Sequence, residues 1–74
     1  MIGTTPSKAL KPGMVVLVTN DGQRVIREDQ PGAHAEMVRF ACPARFGGKA
    51  GTEVTFTNGV EKVYPAGASW IVVS

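Results

Sequence analysis

Thr52–Val73, TEVTFTNGVEKVYPAGASWIVV, is the stretch whose reading decides the fold. Its β-branched and aromatic residues alternate with polar ones and break at Asn58-Gly59, which predicts a β-hairpin. Asn-Gly suits a two-residue type I′ turn, because both central positions need positive φ. Such a turn sets Thr57 opposite Val60, Phe56 opposite Glu61, Thr55 opposite Lys62 and Val54 opposite Val63. One face then carries Val54, Phe56 and Val63, and the other carries Thr55, Thr57, Lys62 and Tyr64. A slip by one residue would set Val54 against Lys62 and scatter the apolar set. Pro65–Ala68 then turns the chain into a third strand, Ser69–Val73. Its run Trp70-Ile71-Val72-Val73 needs cover on both faces, and at a sheet edge its backbone would invite strand addition by another chain.

Upstream, Ala44–Gly51 (ARFGGKAG) reads as a glycine-rich loop holding Phe46 between Arg45 and Lys49. Before it, Ala35–Cys42 reads as a strand with Val38, Phe40 and Cys42 on one face and Met37 and Arg39 on the other, ended by Pro43. Asp29–His34 is a loop punctuated by Pro31-Gly32. Met14–Thr19 and Gln23–Glu28 form a further strand pair around Asn20-Asp21-Gly22. With Gly22 in the left-handed position of a three-residue loop, Val18 faces Arg24. Met1–Gly13 holds two prolines and no sustained periodicity, so it reads as an extended arm. The expected fold is all-β: a small SH3-like barrel or sandwich of five to six antiparallel strands with an extended N-terminal arm. Residues 1–13 would be the arm and residues 14–74 one small β-barrel domain.

Composition narrows the possibilities. At 74 residues and 43% hydrophobic content the chain is one domain, near the lower limit for a self-sufficient core. A single cysteine allows no internal disulfide, and one His with one Cys is too few for a zinc site within the chain. An apolar partner surface is the remaining route to extra stability, which points to an oligomer or a part of a larger assembly. Eight Lys+Arg against six Asp+Glu leave a formal charge of +2, a weak excess for a dedicated nucleic-acid binder. The longest apolar runs fall far short of the ~20 residues of a membrane span. Met1-Ile2-Gly3-Thr4 lacks the pattern of a secretory signal. The expected location is the cytoplasm or an assembled particle, with no membrane.

Leu10-Lys11-Pro12-Gly13-Met14-Val15, followed by Pro31-Gly32 before Val38-Arg39, resembles the N-terminal SH3-like domain of translation elongation factor P. The resemblance spans residues 10–64 and implies an SH3-like barrel. In that family the hairpin tip carries a modified lysine that faces the ribosome. Here the corresponding neighbourhood holds Ala33 and His34, so the resemblance bears on the fold and not on a role in translation.

Neither an active site nor a cofactor is expected. Gly47-Gly48-Lys49-Ala50-Gly51-Thr52 superficially matches a phosphate loop. Pro43 stands where its first glycine belongs, Ala50 replaces the Ser/Thr that would hold Mg²⁺, and a strand follows where a helix should start. Cys42 with His34 would make a nucleophile and base, but Cys42 continues the Val38/Phe40 face and reads as a small buried hydrophobe. The chain therefore reads as a non-catalytic structural or assembly module that docks on protein subunits, self or heterologous. Its arm and apolar C-terminal strand would make the contact through Ile2, Leu10, Phe46, Trp70, Ile71 and Val73, as in a small accessory or decoration protein of a viral shell. Deleting Met1–Leu10 would then weaken assembly and leave the barrel folded. The alternative is an SH3-like nucleic-acid-binding module with Arg39, Arg45, Phe46, Lys49 and Lys62 as a modest basic patch.

Overall fold

The structure is a computed structural model that describes residues 3–73. Six antiparallel strands form one sheet: β1 (Gly3–Pro6), β2 (Val15–Val18), β3 (His34–Phe46), β4 (Lys49–Phe56), β5 (Glu61–Pro65) and β6 (Ser69–Val72). Their spatial order is β1-β6-β2-β3-β4-β5, so the sheet stays open with β1 and β5 at its ends. The helical content among the described residues is a single 3-10 turn, Ser7–Ala9. The all-β expectation holds.

The longest strand organises the sheet. Drawn straight, 13 residues of β3 would span about 40 Å. The whole chain measures 32 Å along its longest axis. β3 therefore bends, and it does so at a bulge where the register jumps between Val38 and Phe40, leaving Arg39 as the extra residue. Its first part pairs with β2 (Val15 opposite Met37) and its second part with β4 (Phe46 opposite Lys49). The two halves of the sheet fold toward each other and enclose the core.

Trp70 sits at the centre of that core with no exposed surface, ringed by Val16, Val18, Val38, Val54, Phe56, Tyr64 and Leu10. Tyr64 meets the indole edge-on at 4.7 Å between centroids, and Phe56 lies 5.9 Å away at a tilt. The polar tips are satisfied locally. The indole N–H of Trp70 donates to the hydroxyl of Ser7 at 2.6 Å, and Tyr64 Oη donates to the carbonyl of Gly22 at 2.5 Å.

Several expectations are corrected. The stretch read as an arm is part of the domain: β1 pairs with β6, Ser7 is fully buried and Leu10 is a core residue. The β4–β5 hairpin adopts the register that the two-residue turn argued against, with Val54 opposite Lys62 and Thr52 opposite Tyr64. Phe56 and Val60 close a three-residue loop in which Gly59 alone has positive φ (92°) and Asn58 Oδ1 accepts the N–H of Val60. One left-handed residue costs less than two when the first would be Asn. The shift turns Tyr64 inward in place of Val63 and brings its ring onto Trp70. Gln23–Glu28 makes only the bridge Val18–Arg24, which the left-handed Gly22 (φ 84°) does set up as expected; the rest is irregular.

β3 departs furthest. The bulge flips the alternation, so Val38 and Ala41 face the core while Phe40 and Cys42 face solvent. Ala44–Gly51 is no loop: it is the end of β3, a Gly47-Gly48 turn with both residues at positive φ (57° and 82°), and the start of β4. Pro43 does not end the strand. Phe46/Lys49, Ala44/Gly51 and Cys42/Glu53 are the hydrogen-bonded pairs next to such a turn, so the Pro43 nitrogen points away from β4 and no ladder bond is lost.

Candidate interaction surface

The outward bend of β3 places a row of large apolar side chains in solvent. Met37 is 44% exposed, Phe40 58% and Phe46 45%, all on this one strand. Isolated exposed apolar residues are ordinary; three on one strand make this face the candidate contact surface. Arg39, pushed out by the bulge, lies over the Phe40 ring at 5.3 Å, a cation–π contact that holds both side chains on the surface. Opposite Phe40 stands Thr55, and opposite Cys42 stands Glu53, whose carboxylate is 3.8 Å from the thiol.

At the hairpin tip, Phe46 lies across Gly51. A Cβ on Gly51 would come within 2.9 Å of Phe46 Cβ and 3.0 Å of the Tyr64 carbonyl, so any larger residue forces these neighbours to shift. Lys49 pairs across from Phe46, and Arg45 donates to the Gly48 carbonyl at 3.1 Å, which ties the turn together.

The residues expected at an assembly surface separate into two groups. Phe46 is exposed. Leu10 and Trp70 are buried in the chain's own core, Ile71 is 9% exposed, and Val73 is half-buried with its N–H bonded to the Val15 carbonyl. Ile2 lies outside the described residues. β6 is no edge, since β1 and β2 flank it. Of the expected basic patch, Arg45, Phe46 and Lys49 lie at the tip, with Phe46 and Lys49 paired on one face of the ladder and Arg45 on the other. Arg39 sits at the bulge, six residues along the strand. Lys62 projects toward Gly22 and Asp21. There the Thr19 hydroxyl donates to Asp21 and holds its carboxyl below the usual range, with a smaller pull from Lys62. His34 and Cys42 have separate partners, Glu36 and Glu53.

Sequence reasoning set Met37 with Arg39 away from the buried face but missed Phe40 as a surface residue, and Ile26, which is 73% exposed. Nothing local signals the bulge, because Val38, Phe40 and Cys42 alternate as a regular strand would.

Two clefts stand out among the described residues, and only the second borders β3. One, of about 680 Å³, is shallow and lies where Ile71 meets the segment Ile26–Asp29 beside β1. The other, of about 270 Å³, lies between the second half of β3 and the turn that carries Lys8 and Leu10. Its walls are mostly small and apolar (Ala41, Pro43, Ala50 and Ala66 with Leu10), joined by Lys8, Cys42 and Thr52. The molecule is thus a small, open all-β domain with two of its five aromatic residues, Phe40 and Phe46, displayed on one bent strand. No protein-family model matches the chain, and no curated protein or solved structure is significantly similar to it.

Proposed function

We propose that this chain is a non-catalytic module that docks on protein subunits, and that β3 makes the contact in place of the chain ends. The observation that carries the reading is the display of Met37, Phe40 and Phe46 in solvent on one strand, with Arg39 stacked on Phe40. Aromatic residues and arginine are the types that dominate binding energy at protein interfaces. Burying such side chains against a partner also adds apolar area to a domain whose own core is small. A photoreactive phenylalanine analogue at position 40 or 46 tests this in cells that make the chain. A protein adduct from either position, and none from the same probe at exposed Gly67, is the expected result. Adducts of equal yield from all three positions, or none, would remove the reading.

A second reading is favoured by one observation, the gathering of Arg45, Phe46 and Lys49 at a hairpin tip. Single-stranded nucleic acid could stack a base on Phe46 and set phosphates against the two cations. It requires binding whose salt slope falls by about one when Arg45 or Lys49 becomes alanine. Salt-insensitive binding, or an adduct that survives nuclease unchanged, rules it out.

A further inference from the structure

We infer that the second half of β3 is an acceptor for an extended, acidic segment of a protein partner, which adds as a strand and drops one apolar side chain into the neighbouring cleft. The inference rests on the docking role proposed above and specifies the occupant.

Two independent features converge on it. The first is an open backbone edge. β2 pairs with β3 only as far as Met37, and Val38 exchanges bonds with Gly13 and Met14. Beyond the bulge β3 has β4 on one side only. Phe40, Cys42, Ala44 and Phe46 direct their backbone groups at β4, so Ala41, Pro43 and Arg45 direct theirs outward. That leaves the N–H groups of Ala41 and Arg45 and the carbonyls of Ala41, Pro43 and Arg45 without a backbone partner among the described residues. An added strand would find donors and acceptors already in register. The second feature is the cleft of about 270 Å³ beside this edge, whose mostly apolar walls leave room for one large side chain.

Charge selects the occupant. Lys8 is the one charged residue among the cleft walls, and Arg45 lies on the same face of β3 as Ala41 and Pro43 by alternation. None of the six acidic residues lines the cleft. A second copy of this chain is a poor fit. Residues 39–46 carry two arginines and no carboxylate, so the β3 edge of a second copy brings nothing acidic to meet Lys8 and Arg45. A strand carrying carboxylates turns the same cations into attractions, and an apolar residue between them fills the cleft.

The test uses the full chain, labelled with ¹⁵N, and synthetic octapeptides that alternate valine with glutamate or valine with lysine. The acidic peptide is expected to slow hydrogen exchange at the Ala41 and Arg45 amides and to shift the methyls of Ala41, Ala50 and Ala66. The basic peptide, and an acidic peptide with proline at alternate positions, should do neither. Lys8→Glu with Arg45→Glu, both at exposed residues, should weaken the acidic peptide by about tenfold. Three results would overturn the inference: no effect at these amides, equal effects from acidic and basic peptides, or exchange at Ala41 and Arg45 that speeds up when the protein alone is diluted. In each of those cases a protein adduct from positions 40 or 46 would still stand, which separates this failure from failure of the docking role.

Discussion

Ser7→Ala is the sharpest test of whether the N-terminal segment belongs to the fold. Ser7 Oγ has no exposure, accepts the Trp70 indole N–H at 2.6 Å, and donates at 3.3 Å to the carbonyl of Ala68, which also accepts the Ser7 N–H. Replacing the hydroxyl leaves the indole N–H buried without a partner, which costs about 1–3 kcal/mol. The Ala68 carbonyl keeps its backbone bond and adds little. Domains of this length have roughly 4–11 kcal/mol of stability in all. A loss near 2 kcal/mol should lower the melting temperature by about 8–16 °C. Urea unfolding followed by far-UV circular dichroism measures the loss directly. The control is the same change in a Trp70→Phe background, where no N–H is left unpaired. There Ser7→Ala should cost less than about 0.5 kcal/mol, so the coupling between the two sites is most of the effect. Equal losses in both backgrounds, or no loss in the parent, would refute the account. Removing residues 1–10 takes away β1, Ser7 and Leu10 together, and should abolish cooperative unfolding instead of merely weakening an assembly.

Other outcomes follow from the same geometry. Gly51→Ala forces a methyl within 3.0 Å of the Tyr64 carbonyl and should destabilise by about 1–3 kcal/mol, whereas Gly67→Ala meets nothing within 4 Å and should stabilise by about 0.4–1 kcal/mol; paired denaturation curves read both signs. Burial, with the nearby Asp21 carboxylate, pushes the Tyr64 phenol up to about 12 from 10.0. The folded chain keeps this proton where the unfolded chain has lost it, so the contribution is full below pH 10 and is lost as pH rises toward 12. The limit is about 1.4 kcal/mol per pH unit, and solvent near the hydroxyl reduces the total to about 1–2 kcal/mol. Because the chain has one tyrosine, the difference between the parent and Tyr64→Phe isolates that slope, and parallel pH profiles would count against it. Cys42 should react with a thiol reagent in the native state, and Phe40→Ala should cost less than about 1 kcal/mol where a core phenylalanine costs about 3–5; a protected thiol or a large loss would return β3 to the unbulged register.

Much of the architecture was legible from local chemistry. Alternating β-branched residues, turn glycines and the absence of a helical period are properties of short windows, and they led to an all-β chain with strands near 14–19, 35–42, 52–57, 60–64 and 69–73, and to one at 23–28 that forms only a single bridge. Gly22 took the left-handed position its turn required and Phe56 went to the core, whereas Trp70, expected at a docking surface, went to the core as well. Tertiary packing decided the rest. Whether Tyr64 or Val63 faces inward depends on how well each ring or branch fills the space beside Trp70, a contact between residues on different strands. Whether residues 3–10 float or pack depends on a hydroxyl and an indole separated by 63 positions. The outward turn of Phe40 comes from one extra residue at Arg39, inserted because a 13-residue strand must bend to serve two halves of one sheet. Periodicity specifies which residues are apolar. Only closure of the core around Trp70 selects which of them are left facing solvent.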